Sequence, residues 1–159
     1  MEYRVGVGLD AHALADGKRL VLGGVEIDYG RGLVGHSDGD VVAHALIDAL
    51  LGAAGLGDIG SLFPSGEPAW QGASSLDLLR RAYAEVRRAG YELVNADCVL
   101  VAEEPRLAPH RDEMRRRLSA AIGGAPEQVA VRATTTDRLG FTGRGEGLAA
   151  QAVALLRRP

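Results

Sequence analysis

Two segments in the first third of the sequence contain residue types that bind metal ions. Asp10 and His12 are separated by one residue, and His44 follows in a later segment. Carboxylate and imidazole groups are ligands of divalent transition metals, and three protein ligands leave one coordination position open for a substrate. The sequence therefore predicts a catalytic metal site formed by these three side chains.

The segment that contains Asp10 and His12 has the pattern of a β-strand. Apolar residues alternate with polar residues and glycine from Tyr3 to Asp10, which is typical of a half-buried strand. Asp10 and His12 would then share one face of the strand, roughly 6.5 to 7 Å apart at the backbone. Two side chains placed in this way can converge on one ion.

His44 lies in a predicted helix. Apolar residues recur at helical spacing from Asp40 onward, Asp38 or Asp40 can cap the N-terminus, and Gly55 can end the helix. His44 would occupy the first turns. Asp40 and Asp48 lie one helical turn to either side of it, so either carboxylate is a candidate to accept the second ring N–H of His44.

Apolar periodicity and turn residues predict the rest of the secondary structure. The predicted elements are a hairpin over 19–29, a loop over 30–40, a long connection over 57–73, a helix over 74–90, a strand over 92–101, a helix over 109–122, a strand over 128–135, a Gly-rich loop over 140–147 and a final helix over 148–156. Strands that alternate with helices indicate an α/β (α+β) fold. We therefore expect residues 1–159 to form a single domain in which a mixed β-sheet packs against helices.

The composition excludes several classes of protein. The chain has 159 residues, of which 47% are hydrophobic and 25% charged, as in ordinary globular domains. It has no apolar run of about 18 residues and no signal-peptide pattern, so we expect a cytoplasmic protein without membrane contact. A net charge of −3 argues against nucleic-acid binding. Cys98, the only cysteine, excludes an intrachain disulfide, and its apolar neighbours predict a packing role.

Two segments in the last third of the chain have residues that suit phosphate binding. Thr134–Asp137 supplies hydroxyls, backbone N–H groups and a carboxylate, which together can hold phosphate oxygens and Mg²⁺. The Gly-rich segment 140–147 matches neither the Rossmann nor the P-loop pattern, and its Arg144 is either an anion ligand or a structural ion-pair partner. Because no serine or cysteine nucleophile has support, metal-assisted displacement at phosphorus or a carbonyl is the chemistry that remains.

Taken together, the motifs resemble the 2-C-methyl-D-erythritol 2,4-cyclodiphosphate synthase family of the non-mevalonate isoprenoid pathway. The resemblance covers nearly the whole chain in the expected order. It depends on the segments at 8–12, 36–40, 44–46, 56–60, 62–64, 133–136 and 139–147.

The resemblance implies a reaction and its cofactors. The family converts 4-diphosphocytidyl-2-C-methyl-D-erythritol 2-phosphate into the cyclic diphosphate and releases CMP, by attack of the 2-phosphate on the β-phosphorus. Asp10, His12 and His44 would hold Zn²⁺. Mg²⁺ or Mn²⁺ would bridge the α- and β-phosphates, with Asp137 as its ligand directly or through water. The resemblance also implies a homotrimer with sites between subunits, so that residues of one site come from two chains.

The same resemblance implies roles for individual residues. His36 and Thr135 would stabilise the transition state. The residues expected to contact the substrate are Asp10, His12, His36, Ser37, Asp58, Ile59, Gly60, Phe63, Pro64, Ser65, Ala102, Pro105, Arg106, Leu107, Ala108, Thr134, Thr135, Thr136, Asp137, Phe141 and Arg144. Among these, the segment 102–108 and Thr134 would form the cytidine pocket. Phe141 and Arg144 would face a central cavity that holds isoprenoid diphosphates.

The sequence departs from the family pattern at two single positions and in one segment. Asp137 stands where the family usually has Glu, so its carboxylate is one methylene shorter, and Ser65 replaces a common Asp. Glu103 and Glu104 place two acidic residues near a diphosphate, and we expect their side chains to face solvent or to pair with arginines. Two other functions stay open: a non-catalytic isoprenoid-diphosphate or nucleotide-binding trimer with structural zinc, and a zinc-dependent phosphohydrolase that delivers water to the metal.

Overall fold

The computed structural model describes residues 1–159. It contains the strands β1 (Glu2–Asp16), β2 (Leu20–Leu22), β3 (Val25–Ile27), β4 (Arg31–Leu33), β5 (Glu92–Val101), β6 (Val129–Thr134) and β7 (Gly147–Arg158). Its α-helices are α1 (Val41–Ala54), α2 (Ile59–Leu62), α3 (Ser75–Arg88), α4 (Arg111–Ala121) and α5 (Gly140–Gly143). Three short 3₁₀ turns lie at Pro68–Trp70, Ala108–His110 and Pro126–Gln128.

One mixed sheet forms the centre of the fold, in the order β4-β1-β7-β5-β6. β1 is antiparallel to both of its neighbours, β4 and β7. β5 is antiparallel to β7 but parallel to β6. The separate β2-β3 pair is the predicted hairpin. The prediction of a mixed sheet with helices is therefore confirmed.

Helix α1 crosses the sheet over β1 and β7 at very short range. A Cβ atom added to Gly8 would lie 1.9 Å from the carbonyl oxygen of Ala45, and one added to Gly6 would lie 2.1 Å from that of Ala49. Glycine is therefore required at both positions, because only a residue without a side chain permits this approach of strand to helix. The contact places the first turns of α1 directly over the middle of β1.

The buried and exposed faces of β1 are the opposite of what its alternation suggests, because the side with the large apolar residues is the exposed one. Gly6 and Gly8 are buried under α1, whereas Val5, Val7 and Leu9 are 70%, 60% and 71% exposed. The alternation itself is confirmed, and Asp10 and His12 share the glycine side. The apolar side of the strand is uncovered in the single chain.

The predicted final helix is wrong, because residues 147–158 form the central strand β7. The alanine- and leucine-rich sequence favours a helix, but β7 pairs with β1 on one side and β5 on the other, and such tertiary pairing overrides propensity. Leu148, Ala150 and Leu156 are buried on the side that faces α1. Their period of two was obscured because the opposite side of the strand also contains the apolar residues Ala149, Val153 and Leu155.

The other predicted elements are confirmed with smaller differences. The loops predicted at 30–40, 57–73 and 140–147 contain β4, α2 and α5 respectively. Cys98 is 1% exposed inside the hydrophobic core, in agreement with its predicted packing role. The chain contains no helix long and apolar enough to pass through a bilayer.

Candidate metal centre

Asp10, His12 and His44 bring three ligand atoms together where β1 meets α1. The Asp10 Oδ2 atom lies 3.0 Å from His12 Nε2 and 3.0 Å from His44 Nδ1, and the two nitrogen atoms are 3.4 Å apart. The three ligand atoms therefore form a nearly regular triangle. All three side chains are at least partly buried, and His44 is only 8% exposed.

The dimensions of this triangle match the geometry of a zinc site. Two ligand atoms bound at about 2.0–2.1 Å to a tetrahedral Zn²⁺ lie about 3.3 Å apart. The observed separations of 3.0 to 3.4 Å are close to that value. Two imidazoles and one carboxylate also form a donor set that zinc accepts, and they leave the fourth tetrahedral position open. The residues present therefore fit a catalytic metal ion.

Local structure fixes each ligand. Asp10 and His12 follow one another on the same side of β1, which is held in register by β7 through pairs such as Asp10↔Ala150. His44 lies in the first turn of α1, whose N-terminus is capped by the Asp40 side chain through the N–H groups of Val42 and Ala43. Side chains from two rigid elements thus converge without contribution from a loop.

The charge of Asp10 favours metal binding, whereas His12 must release a proton when it binds a metal. Burial by itself raises the pKa of the Asp10 carboxyl, but hydrogen bonds from His12 and His44 outweigh burial and lower the pKa to about 2. The hydrogen bond with Asp10 raises the pKa of His12, against the opposing effect of burial. Asp10 is therefore an anion near neutral pH, and a metal ion bound here would take the place of the protons that the group shares.

The predicted partners of the second nitrogen of His44 are wrong. His44 Nε2 lies 2.8 Å from Ser75 Oγ and 2.9 Å from Ser37 Oγ. Asp40 instead caps α1 and accepts from the N–H groups of the hairpin turn, and Asp48 accepts from the N–H of Ile59. Both carboxylates are occupied by backbone N–H groups, whereas the His44 ring reaches Ser75 at the start of α3.

A cavity of about 210 Å³ opens beside the triad. It is lined by Asp10, His12, His36, Ser37, His44, Ile59, Gly60, Phe63, Ser65, Trp70 and Leu78. Nine of these residues belong to the predicted metal and substrate sets. Trp70 and Leu78 were missed, although Trp70 packs edge-on against Phe63 with ring centroids 5.1 Å apart. The sequence signal that could have identified Trp70 is its position as the only tryptophan, within the long 57–73 connection.

Other predicted residues of this region lie around the same cavity. His36 Nε2 is 3.0 Å from the carbonyl oxygen of Glu67. Asp58 caps α2 by accepting from the backbone N–H and the hydroxyl of Ser61. Pro64 directly precedes Ser65 in the segment that follows α2. The 57–73 connection therefore forms one wall of the cavity, opposite the metal ligands.

The second group of predicted residues lies elsewhere on the sheet. Across the strands, Asp10 is level with Ala150, Leu100 and Ala133. Three strand spacings of about 4.8 Å place Ala133, and Thr134 after it, about 14 Å from Asp10. None of the residues 102–108 or 134–137 lines the metal cavity. Within one chain the two predicted halves of the site do not meet.

The second group is nevertheless assembled locally. The Ala102 N–H donates to the carbonyl oxygen of Thr134. Leu107 and Ala108 line a separate cavity of about 180 Å³ together with Ala133. Pro105 and Arg106 complete the turn between them. The predicted cytidine-binding residues therefore share one end of β5 and β6.

Glu103 differs from its expected position. It neither faces solvent freely nor pairs with an arginine: its Oε1 atom accepts from the backbone N–H of Thr136 at 3.0 Å and of Arg138 at 3.1 Å. Asp137 and Arg138 have positive φ values of 53° and 68°, a conformation that non-glycine residues adopt mainly at functional or strained sites. Glu103 thus holds this turn. Glu104 is exposed, as expected, and accepts from the hydroxyl of Tyr29.

The Gly-rich segment presents its two predicted residues at the surface. Phe141 is 43% exposed. Arg144 forms an ion pair with Glu146 at 2.6 Å and lines an open cavity of about 510 Å³ together with Arg31 and Arg138. Thr135 and Asp137, by contrast, contact mainly one another, with Thr135 Oγ1 at 3.4 Å from Asp137 Oδ1.

A model described as the YgbB family matches residues 3–157. The chain belongs to this family. The 2-C-methyl-D-erythritol 2,4-cyclodiphosphate synthase of Moorella thermoacetica is 61% identical over 153 residues, which cover 96% of this chain and 94% of the relative. The resemblance predicted from the motifs is therefore confirmed.

Solved structures give the same result for the fold. A 2C-methyl-D-erythritol-2,4-cyclodiphosphate synthase in a CDP-bound form superposes with a TM-score of 0.88 and 40% identity, over 97% of this chain and 100% of that one. The bifunctional IspDF of Campylobacter jejuni superposes with a TM-score of 0.96 and 42% identity, over 99% of this chain and 43% of that one. The chain therefore superposes on the full length of the first structure and on less than half of the bifunctional one.

Proposed function

We propose that this protein is a cyclodiphosphate synthase that converts 4-diphosphocytidyl-2-C-methyl-D-erythritol 2-phosphate to 2-C-methyl-D-erythritol 2,4-cyclodiphosphate with release of CMP. The triangle of Asp10, His12 and His44, with its open fourth position, is the observation that carries the proposal. The high identity to enzymes of this name over almost the whole chain supports it. Residues 1–159 act as one catalytic domain.

The side chains of the site position a reactant that is already ionised. Asp10, His12 and His44 would hold Zn²⁺, which supplies Lewis-acid neutralisation of charge on a phosphate oxygen. The attacking 2-phosphate needs no general base near neutral pH, so the residues act mainly by alignment. Well-aligned intramolecular reactions reach effective molarities of about 10⁵–10⁸ M. His36, at the mouth of the metal cavity, and Thr135 would donate hydrogen bonds to the phosphate oxygens.

The remaining substrate contacts follow from the two groups of residues. Ser37, Asp58, Gly60 and the segment 63–65 would bind the methylerythritol phosphate beside the metal. The segment 102–108 and Thr134 would bind cytidine through backbone groups and the adjoining cavity. Asp137 would bind Mg²⁺ or Mn²⁺, directly or through water, because carboxylate oxygens are ligands of these hard cations.

The active form is a homotrimer in this proposal. Two features of the single chain support an assembly: the two halves of the site are about 14 Å apart across three strand spacings, and the apolar side of β1 lies uncovered, with Tyr3, Val5, Val7 and Leu9 all more than half exposed. Large exposed apolar patches mark interaction surfaces. A neighbouring chain that covers this face would bring its own cytidine half to the metal half, and Phe141 and Arg144 would face the central cavity, where isoprenoid diphosphates bind.

Product analysis tests the proposal. The purified protein is incubated with the cytidylyl substrate and Mg²⁺ or Mn²⁺, and the products are identified by mass, with a chelator-treated sample as the control. CMP together with the cyclic diphosphate is the expected result. Linear hydrolysis products would instead identify a phosphohydrolase, and binding without turnover would identify a nucleotide-binding protein. Either outcome refutes the proposal.

A further inference from the structure

We propose that Ser75 is a positioning residue of the metal centre, whose hydroxyl accepts the Nε2–H of His44 and so directs Nδ1 toward the metal ion. The inference rests on the proposed metal centre and extends it to a residue outside the ligand set. Ser75 is the first residue of α3, far from His44 in sequence, and its side chain is fully buried.

The positions of the two ring nitrogens determine which one carries the proton. His44 Nδ1 is the atom that faces Asp10 Oδ2 at 3.0 Å and His12 Nε2 at 3.4 Å. A metal-bound nitrogen presents its lone pair, so the proton of the neutral ring must lie on Nε2. That nitrogen points at Ser75 Oγ, 2.8 Å away. Metal ligation by Nδ1 and a hydrogen bond from Nε2 to Ser75 therefore require the same tautomer.

Asp38 determines the direction of the hydrogen bond. The Ser75 hydroxyl donates to Asp38 Oδ1, and the Ser75 backbone N–H donates to Asp38 Oδ2 at 2.9 Å. Asp38 Oδ1 also accepts from the N–H of Asp40. Because the carboxylate takes up the only hydroxyl proton of Ser75, the oxygen faces His44 with its lone pairs. The chain of hydrogen bonds then runs in one direction, from His44 through Ser75 to Asp38.

A second hydroxyl near His44 is less well suited to this role. Ser37 Oγ lies 2.9 Å from His44 Nε2, but it lines the open cavity beside the metal and is only partly buried. Its polar contacts are His44 and a 3.5 Å approach to Ser75. No carboxylate holds its proton, so Ser37 can turn toward a bound phosphate, whereas Ser75 is held in place by both its hydroxyl and its backbone.

Partners of this kind have a measurable effect on metal binding. Groups that hydrogen-bond to a metal-bound histidine orient the ring, and their loss typically weakens metal affinity by about 10- to 100-fold. The proposed role therefore predicts a change in the metal dissociation constant of the protein, separate from any change in turnover.

The experiment compares Ser75→Ala with two matched variants. Metal-free protein is titrated with Co²⁺ and with Zn²⁺ against a competing chelator, and the visible spectrum of the Co²⁺ form reports ligand geometry. We expect Ser75→Ala to weaken binding by about 10- to 100-fold and to alter the spectrum. Ser74→Ala removes the adjacent hydroxyl, which is exposed and makes no capping bond. It should leave the metal affinity and the Co²⁺ spectrum unchanged. Ser75→Thr keeps the hydroxyl and should restore most of the affinity.

Thermal unfolding of the metal-free forms separates positioning from folding. If Ser75→Ala does not fold, Asp38→Asn provides the same test with little change in volume, because it removes one of the acceptors that hold Ser75. We expect a smaller loss of metal affinity for this variant than for Ser75→Ala. A dissociation constant for the folded variants equal to that of the wild type would overturn the role of Ser75 while leaving the metal centre intact. A wild-type protein that binds no metal would overturn both.

Discussion

The metal half and the cytidine half of the proposed site differ in how completely one chain builds them. The ligands Asp10, His12 and His44 lie on a central strand and a buried helix, and their polar atoms have partners within the same chain. The segment 134–137 lies at an exposed strand end, where Thr135 and Asp137 contact mainly one another. The metal half is preorganised by the fold of one chain. The cytidine half is shaped by Glu103 and, in the proposed trimer, would be completed by the substrate and a second chain.

The largest expected effect concerns the metal half. We expect His44→Ala to lose bound zinc and nearly all activity, because a missing ligand costs more than the roughly 10- to 100-fold that is typical of an outer partner. Elemental analysis and product formation measure this, and gel filtration checks that the assembly persists. His110 lies outside the triad, so His110→Ala is the control for zinc content. If the His44 variant retained zinc, His44 would not be a ligand of the metal.

The preorganisation of the metal half depends on the contact between β1 and α1. Gly8→Ala would place a Cβ atom 1.9 Å from the Ala45 carbonyl oxygen, and overpacking of this kind costs about 1–3 kcal/mol. We expect a lower unfolding temperature together with weaker zinc binding. Gly52→Ala in α1 has free space, with its nearest atom at 4.0 Å, and should stabilise the helix by about 0.5–1 kcal/mol. Equal effects of the two changes would contradict the proposed contact.

Glu103 tests the independence of the cytidine half. Glu103→Ala removes the acceptor of two backbone N–H groups, so the turn at Asp137 and Arg138 should loosen. We expect a higher KM for the cytidylyl substrate and unchanged zinc content, with a loss in stability of about 1 kcal/mol. Glu104→Ala, which removes one long hydrogen bond at the surface, is the matched control. A loss of zinc in the Glu103 variant would show that the two halves are coupled.

The smallest effect concerns the strand that supports the cytidine half. Burial raises the pKa of the Cys98 thiol to about 12, and the thiolate is the form that reacts with disulfide reagents. We expect almost no reaction of the native protein at neutral pH and rapid reaction after denaturation, followed by absorbance. Rapid labelling of the native protein would show that β5 opens under native conditions.

The sequence predicted the metal half well because its signals are local. Alternation in β1, the cap at Asp40 and the stop at Gly55 each depend on a few neighbouring residues. The partner of His44 could not be predicted, since Ser75 reaches it only through the packing of α3 against α1. Sequence patterns also misassigned β7. Apolar residues on both of its sides obscured the period of two, and pairing with β1 and β5 overrides the helix preference of its alanines.

The uncovered side of β1 has a consequence for the protein in dilute solution. Four large apolar side chains stand in water when the chain is alone, and self-association that covers them stabilises the folded form by mass action. The melting temperature should therefore fall as the protein is diluted. At nanomolar concentration the proposed assembly would dissociate. The separated chains would keep the metal half, but no cytidine half of a neighbour would face it.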